Sequence, residues 1–304
     1  MSRKRWTSGT VIALWIVVGV VPCWGQIAIP LADVAPQVGT EAVYSMYTVI
    51  GTMDATGNPV GDSGGPHTSD FTAWGDGAGA MMTGTIATSV LPAEAAPTAD
   101  DFPDADYAIY LETEFTLLTG EFQQDSGYFF MKRTPLGDVP LGGTNPELVP
   151  SFAQVQTQNA AIYPLTFGKT WGFTQSVEDL GISLPEGMTV SGSLDVQGHV
   201  DAWGTAITPV GTFECLRIYQ HLEGTIGYGG TFGSGEMPMT IESYQWLSRE
   251  VGPVAIVQEI RMGPSTLLPE TTMTQVMLLT SFSQTITPVE SATWGQIKNA
   301  VSNE

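Results

Sequence analysis

Two histidines and two carboxylates flank the segment Thr-Pro-Val-Gly at residues 208–211: His199 and Asp201 come before it, His221 and Glu223 after it. If this segment closes a β-hairpin with a three-residue turn, His199 falls opposite His221. Opposed side chains on one face of an antiparallel pair lie about 5 Å apart at Cβ. Two imidazoles and a carboxylate at that spacing make a ligand set for a transition metal, so His199, His221 and Asp201 are the candidate metal ligands. The set depends on register, because a slip of one residue carries a partner to the other face.

A second motif with chemical content is Gly-Asp-Ser-Gly-Gly-Pro at residues 61–66. This hexapeptide surrounds the nucleophilic serine of trypsin-like proteases. A serine attacks a carbonyl only when a histidine takes its proton and a carboxylate orients that histidine. In those enzymes both partners precede the serine by a long stretch. Here His67, His199 and His221 all follow Ser63. The continuation "HTSDFTAWGDG" reads as a polar loop rather than the strand such an enzyme needs. The hexapeptide is therefore read as a bend, and no catalytic residue is assigned.

Other chemistry-bearing residues read more simply. Asp100, Asp101, Asp104 and Asp106 cluster in "ADDFPDAD", without the alternating aspartates, glycine and distant glutamate of a calcium loop. A solvated acidic connection is expected there. Cys215 lies in an apolar strand with no activating histidine, the setting of a small buried hydrophobe. Trp171, Trp203 and Trp246 could form a carbohydrate platform, and suit a β-core as readily. No cofactor is expected.

The elements that position these residues are strands. Apolar and polar residues alternate with period two in "AVYSMYTVIG" at 42–51, "DYAIYLETEFTLL" at 106–118, "GTFECLRIYQ" at 211–220 and "ESYQWLSRE" at 242–250. Gly, Pro, Asn and Asp clusters separate such runs, the pattern of antiparallel β-structure. Along 211–220, Leu216 and Ile218 share one face, while Phe213, Cys215, Arg217 and Tyr219 share the other. The Pro- and Gly-dense stretch at 135–151 separates two regions. The chain is expected to be all-β: an N-terminal β-rich region over 26–150, then a curved antiparallel sheet or half-barrel over 151–286. A short helical tail over 287–304 is expected to follow, with Trp294, Ile297 and Val301 on one stripe.

The chain begins with a basic segment, Arg3, Lys4 and Arg5, followed by the apolar run "VIALWIVVGVV" and "PCWGQ". This is the pattern of a signal peptide over residues 1–25, cleaved near Gly25. Its apolar run is shorter than the roughly 20 residues needed to span a bilayer, so no spanning segment is expected. Of the 304 residues, ten are basic and 31 acidic. The leader removes three basic residues and no acidic one, which leaves seven against 31 and a net charge of −24. Such a polyanion is repelled by phosphate backbones, so nucleic acid is excluded as a partner. Cys215 alone remains after cleavage, so no internal disulfide forms.

Several phrases, taken in order, carry a resemblance: "DFTAW" at 70–74, "DDFPDADYAIY" at 100–110, "GYFFMK" at 127–132, "IYPLTFGKTW" at 162–171, "VDAWGTAITPVGTFECLRI" at 200–218 and "YQWLSREVGPVAIVQEI" at 244–260. Together they resemble a functionally uncharacterised group of secreted bacterial β-rich proteins, many of which carry a C-terminal sorting domain. The C-terminal half is distantly similar to periplasmic half-barrels that shelter acyl chains. The resemblance implies export and a lipid or other apolar small molecule as partner; it carries over no catalytic residues. In place of a sorting domain the chain ends with "TWGQIKNAV" and a few further residues.

These readings lead to a secreted, periplasmic or cell-surface protein that is non-enzymatic and binds an apolar ligand or acts at the envelope. A hydrolase of envelope or extracellular polymer is the alternative, and a structural surface module is another.

Overall fold

The alternating runs become strands in a computed structural model. It describes residues 27–30, 33, 37–52, 60–72, 80–117, 120, 122–134, 137–144, 163–176, 189–229, 234–249, 251–264 and 270–284. The strands are β1 (Thr40–Ile50), β2 (Gly64–Asp70), β3 (Met82–Pro92), β4 (Tyr107–Leu117), β5 (Phe122–Thr134), β6 (Gly137–Gly143), β7 (Thr170–Ser176), β8 (Thr189–Thr208), β9 (Gly211–Gly229), β10 (Gly235–Ser248), β11 (Gly252–Met262) and β12 (Thr271–Gln284). The expected leader and helical tail lie outside the described residues. Among the described residues no helix is long and apolar enough to cross a membrane.

All twelve strands belong to one open sheet in the order β2, β8, β9, β10, β11, β12, β1, β3, β4, β5, β6, with β7 also paired to β8. The all-β expectation holds. Strand β1 lies antiparallel between β12 and β3, which ties the first strand of the described residues to the last. Hydrogen bonds therefore run without a break from the strands of residues 26–150 to those of 151–286.

Strand β2 departs from the sequence reading. The residues after the serine hexapeptide form a strand and not a loop, and β2 pairs with β8 in parallel. The segment is polar because it needs no apolar stripe of its own: main-chain hydrogen bonds to the edge of β8 hold it, and few of its side chains turn inward. The connection from β2 to β8 is long, as a parallel pairing requires.

The sheet curls. Strand β8 touches β11 and β12 although other strands lie between them. The side chains that meet on the inside of this curl include Ala206, Cys215, Trp246, Val257 and Val276, with Phe71 from the end of β2. The opposite face of β8 and β9 carries Val200, Leu216 and Ile218, packed under Ile29 and Leu165. Burying side chains of this size contributes about 1.5–3 kcal/mol each. The two-face reading of residues 213–219 is thus met: Leu216 and Ile218 join one cluster, while Cys215 joins the other and Phe213 packs against it.

Candidate functional site

Strands β8 to β12 run side by side, so rows of side chains cross the inner face from strand to strand. One row is Ala202, Arg217, Trp246, Ala255 and Leu278; the next is His199, Tyr219, Tyr244, Val257 and Val276. The third is Gln197, His221, Glu242, Glu259 and Thr274. The face thus passes from largely apolar, through aromatic, to polar in steps of two residues along each strand.

The first row is closed. Arg217 is 3% exposed and Asp201 8%. The Arg217 Nε donates to Asp201 Oδ1 at 2.9 Å and Nη2 donates to Asp201 Oδ2 at 2.7 Å. Nη2 also donates to the Asp62 carbonyl at 3.0 Å, and Nη1 donates to the carbonyls of Val60 and Gly61. All five N–H donors of the guanidinium are used. Its Cζ lies over the rings of Tyr244 and Trp246, 5.4 and 5.9 Å from their centroids. An ion pair taken out of water costs several kcal/mol per ion unless hydrogen bonds replace hydration, and here they do. The serine hexapeptide is therefore the far end of a pin: Arg217 grips the carbonyls at its entry and draws the chain over the inner face. Beyond it Ser69 Oγ accepts from Trp246 Nε1 at 3.1 Å, and the Phe71 ring meets Trp246 edge-on at 4.8 Å.

Ser63 itself is exposed. His67 Nε2 lies 3.4 Å from the Ser63 carbonyl oxygen, on the main chain and away from the nucleophile. Gly65 and Gly204 let this strap lie flat. A Cβ on Gly65 would meet Trp203, and one on Gly204, whose φ is +152°, would meet the His67 main chain.

The second and third rows are more open. The Tyr219 ring meets His199 edge-on on one side and Tyr244 at a tilt on the other, with 5.0 Å between centroids in each case. The Tyr219 hydroxyl donates to Glu242 Oε2. His221 Nδ1 lies 2.8 Å from Glu242 Oε1, and Nε2 lies 3.6 Å from Glu223 Oε2. Glu259 faces Glu242 across the β10–β11 pair and takes its cation from Arg261, whose Nε donates to it at 2.6 Å. Burial, and then the hydrogen bond to Glu242, raises the Tyr219 phenol above its usual range, so it serves as a neutral donor. Burial works to lower His221, but the carboxylates of Glu242 and Glu223 outweigh it and raise its pKa. A half-exposed surface of aromatic rings, the Glu242 carboxylate and an imidazole, with the buried Glu259 behind it, can hold a ring or apolar body on the tyrosines and a donor group on Glu242.

The three candidate metal ligands do not meet in this way. His199 pairs with Tyr219, and His221 pairs with Gln197. Two local features move the register. Thr208 pairs with Gly211, leaving two residues in the turn rather than three, and a bulge between Val200 and Ala202 shifts it again. Asp201 is the extra residue of that bulge, and Arg217 takes its carboxylate. Among the described residues no group of three or more His, Cys, Asp or Glu is arranged to hold a metal ion.

The three tryptophans do not form one platform. Trp246 is buried on the inner face, while Trp171 and Trp203 pack against Leu216 and its neighbours on the other. Cys215 is buried, and burial pushes its thiol up to about 12. In the acidic connection, Asp106 accepts from the Arg133 main-chain N–H at 2.6 Å and Asp104 pairs with Lys132 at 4.0 Å. Sequence reasoning found His221 but missed Glu242 and Tyr244. Their signal was available: Glu242, Tyr244 and Trp246 alternate along one strand as Arg217, Tyr219 and His221 do along the next.

No family model matches the sequence, and no curated protein matches it. Among solved structures, the chain is similar to a candidate lipoprotein from Parabacteroides distasonis, with 11% identity, 85% of this chain and 100% of that chain covered, and a TM-score of 0.29. It is also similar to a candidate exported protein with a YmcC-like fold from Bacteroides fragilis, with 9% identity, the same coverage and a TM-score of 0.28. Likenesses this slight carry nothing over to this chain.

Proposed function

We propose that this is an exported, non-enzymatic binding protein of the cell envelope or exterior. Its ligand rests on the aromatic and polar rows of the inner face. The reading draws export from the leader pattern, with cleavage near Gly25. The observation that carries the binding site is the graded face itself. Where the strap packs, the apolar row is filled by Phe71 and Trp246; one step along the same strands, Tyr219, Tyr244, His221 and Glu242 stand half-exposed and already organised. A ligand with an apolar or ring-shaped body and a hydrogen-bonding end group suits this surface. Few polar groups at the edge of an apolar lining are the usual arrangement of a small-molecule site.

Mass spectrometry of the native mature protein, purified from the exported fraction of a bacterial host, tests the reading. A co-purifying small molecule that is lost from Tyr219→Ala and Glu242→Gln supports it. A molecule retained by both variants, or none found in any preparation, overturns it.

One observation favours hydrolysis of an extracellular polymer as a second reading. Glu242 and Glu259 face each other across adjacent strands with His221 beside them, and paired carboxylates cleave glycosidic bonds. Polysaccharide cleavage by the wild type, abolished in Glu242→Gln, would replace the binding reading with this one.

A further inference from the structure

We infer that the ligand of the inner face is an organic cation: an ammonium group on an apolar or ring-shaped body, seated on the Tyr219 and Tyr244 rings beside the Glu242 carboxylate. The inference rests on the binding reading above and names the class of its ligand. Two observations carry it, the charge of the polar rows and the direction of their donors.

Beyond the row of His221 and Glu242, the next row on the same face is Asp195, Glu223, Thr240, Arg261 and Thr272. Among the described residues of these two rows the acids are Asp195, Glu223, Glu242 and Glu259, and the bases are His221 and Arg261. Arg261 is taken by Glu259. Asp195, Glu223 and Glu242 then face His221 alone, so the rows stay negative even when the imidazole is protonated. Asp195 and Glu223 are exposed, and water screens them. The Glu242 side chain is 24% exposed, so its charge acts most strongly on whatever rests beside it. The neighbouring groups register that field. Burial, and then the charge of Glu242, raises the Tyr244 phenol, and Glu242 helps to raise Tyr219 and His221 as well.

The donors around Glu242 are already committed. The Tyr219 hydroxyl donates to Glu242, the His221 nitrogens lie nearest Glu242 and Glu223, and the Arg261 guanidinium faces Glu259. A ligand ending in a carboxylate, sulfate or phosphate would meet like charge and would have to break these contacts. An ammonium group leaves them in place, because each carboxylate oxygen has room for a second partner. The rings suit it too: a cation is attracted to the face of a tyrosine within about 6 Å of the centroid. Tyr244 already does this on one side, where Arg217 Cζ lies 5.4 Å from its centroid.

The test titrates the mature protein, its tyrosine rings labelled with 13C, with three probes built on one ring: benzyltrimethylammonium, benzyl alcohol and benzenesulfonate. Benzyltrimethylammonium is expected to shift the Tyr219 and Tyr244 signals and to bind about tenfold more tightly than benzyl alcohol. Benzenesulfonate is expected to shift neither, and Tyr107, buried elsewhere in the sheet, is the unmoved reference. Glu242→Gln should remove the tenfold preference and leave benzyl alcohol binding as it was. Should that variant fail to fold, Glu223→Gln, at an exposed position, should reduce the same preference. Phosphatidylcholine vesicles tell two sources apart: binding of the free salt alone assigns a free ligand, and binding of both assigns a lipid headgroup. Benzyl alcohol or benzenesulfonate binding as tightly as the cation overturns the inference and leaves the face a binding site. So does a co-purified ligand, lost from the Tyr219→Ala and Glu242→Gln variants, that is neutral or anionic. A preference for the cation that survives in both glutamine variants also overturns the inference. No shift at either tyrosine with any probe overturns it together with the binding reading.

Discussion

Arg217 and His221 stand on one strand, four residues apart and on the same face, yet they sit in opposite situations. Arg217 is sealed, with every donor used and two aromatic rings against it. His221 is partly open, shared between two carboxylates of which one, Glu223, is largely exposed. A buried charge with a full set of partners holds the fold, because removing any partner leaves the rest stranded in a poor solvent. A half-exposed group with spare access can respond to what arrives from solution. Charge alone therefore does not identify a functional residue in this molecule; the accounting of its hydrogen bonds does.

The largest effect that would break this contrast is at the pin. Arg217→Met is expected to cost about 3–5 kcal/mol of stability, since it strands Asp201 and the carbonyls of residues 60–62. Arg217→Met/Asp201→Leu should recover a good part of that loss. Denaturant titration checks both, and an Arg217→Met midpoint equal to that of the wild type would end the pin argument. Next comes the strap's seat. Gly204→Ala is expected to lose about 1–3 kcal/mol, because its backbone favours glycine and a Cβ would strike the His67 main chain. The same denaturant series measures it, with Gly211→Ala, where a Cβ meets nothing, as the reference.

Cys215 reports the strap kinetically. The native mature protein at pH 8 should label with a thiol reagent far more slowly than the unfolded chain. Arg217→Met should speed labelling, because the strap and Cys215 line the same crevice. Equal labelling rates in the two proteins would dissociate the strap from thiol burial.

The smallest effect is at His221. Its folded pKa is raised above the ordinary 6.5, so its stabilising contribution is complete below that value and is lost as pH rises through the folded one. Melting of the wild type against His221→Gln should show an advantage for histidine near pH 6 that shrinks towards pH 9. An advantage that grows with pH would contradict the geometry around Glu242.

Much of this was legible in the residues. The bend at Pro209, the strands on either side of it, and the division of residues 213–219 between two faces all follow from alternation and turn chemistry, which act over a few neighbours. The candidate site was half legible: His221 could be picked out, but its true partner lies 21 residues away on β10.

What the amino-acid order determined by itself was period and polarity: an all-β chain, strongly acidic, with apolar residues alternating along strands. Tertiary structure decided register and distant partners. The bulge that hands Asp201 to Arg217, the union of β1 with β12, and the capture of a protease-like hexapeptide as a strap have no local signature. Alternation assigns a side chain to a face, whereas which residue it meets there depends on pairings that only the whole sheet selects.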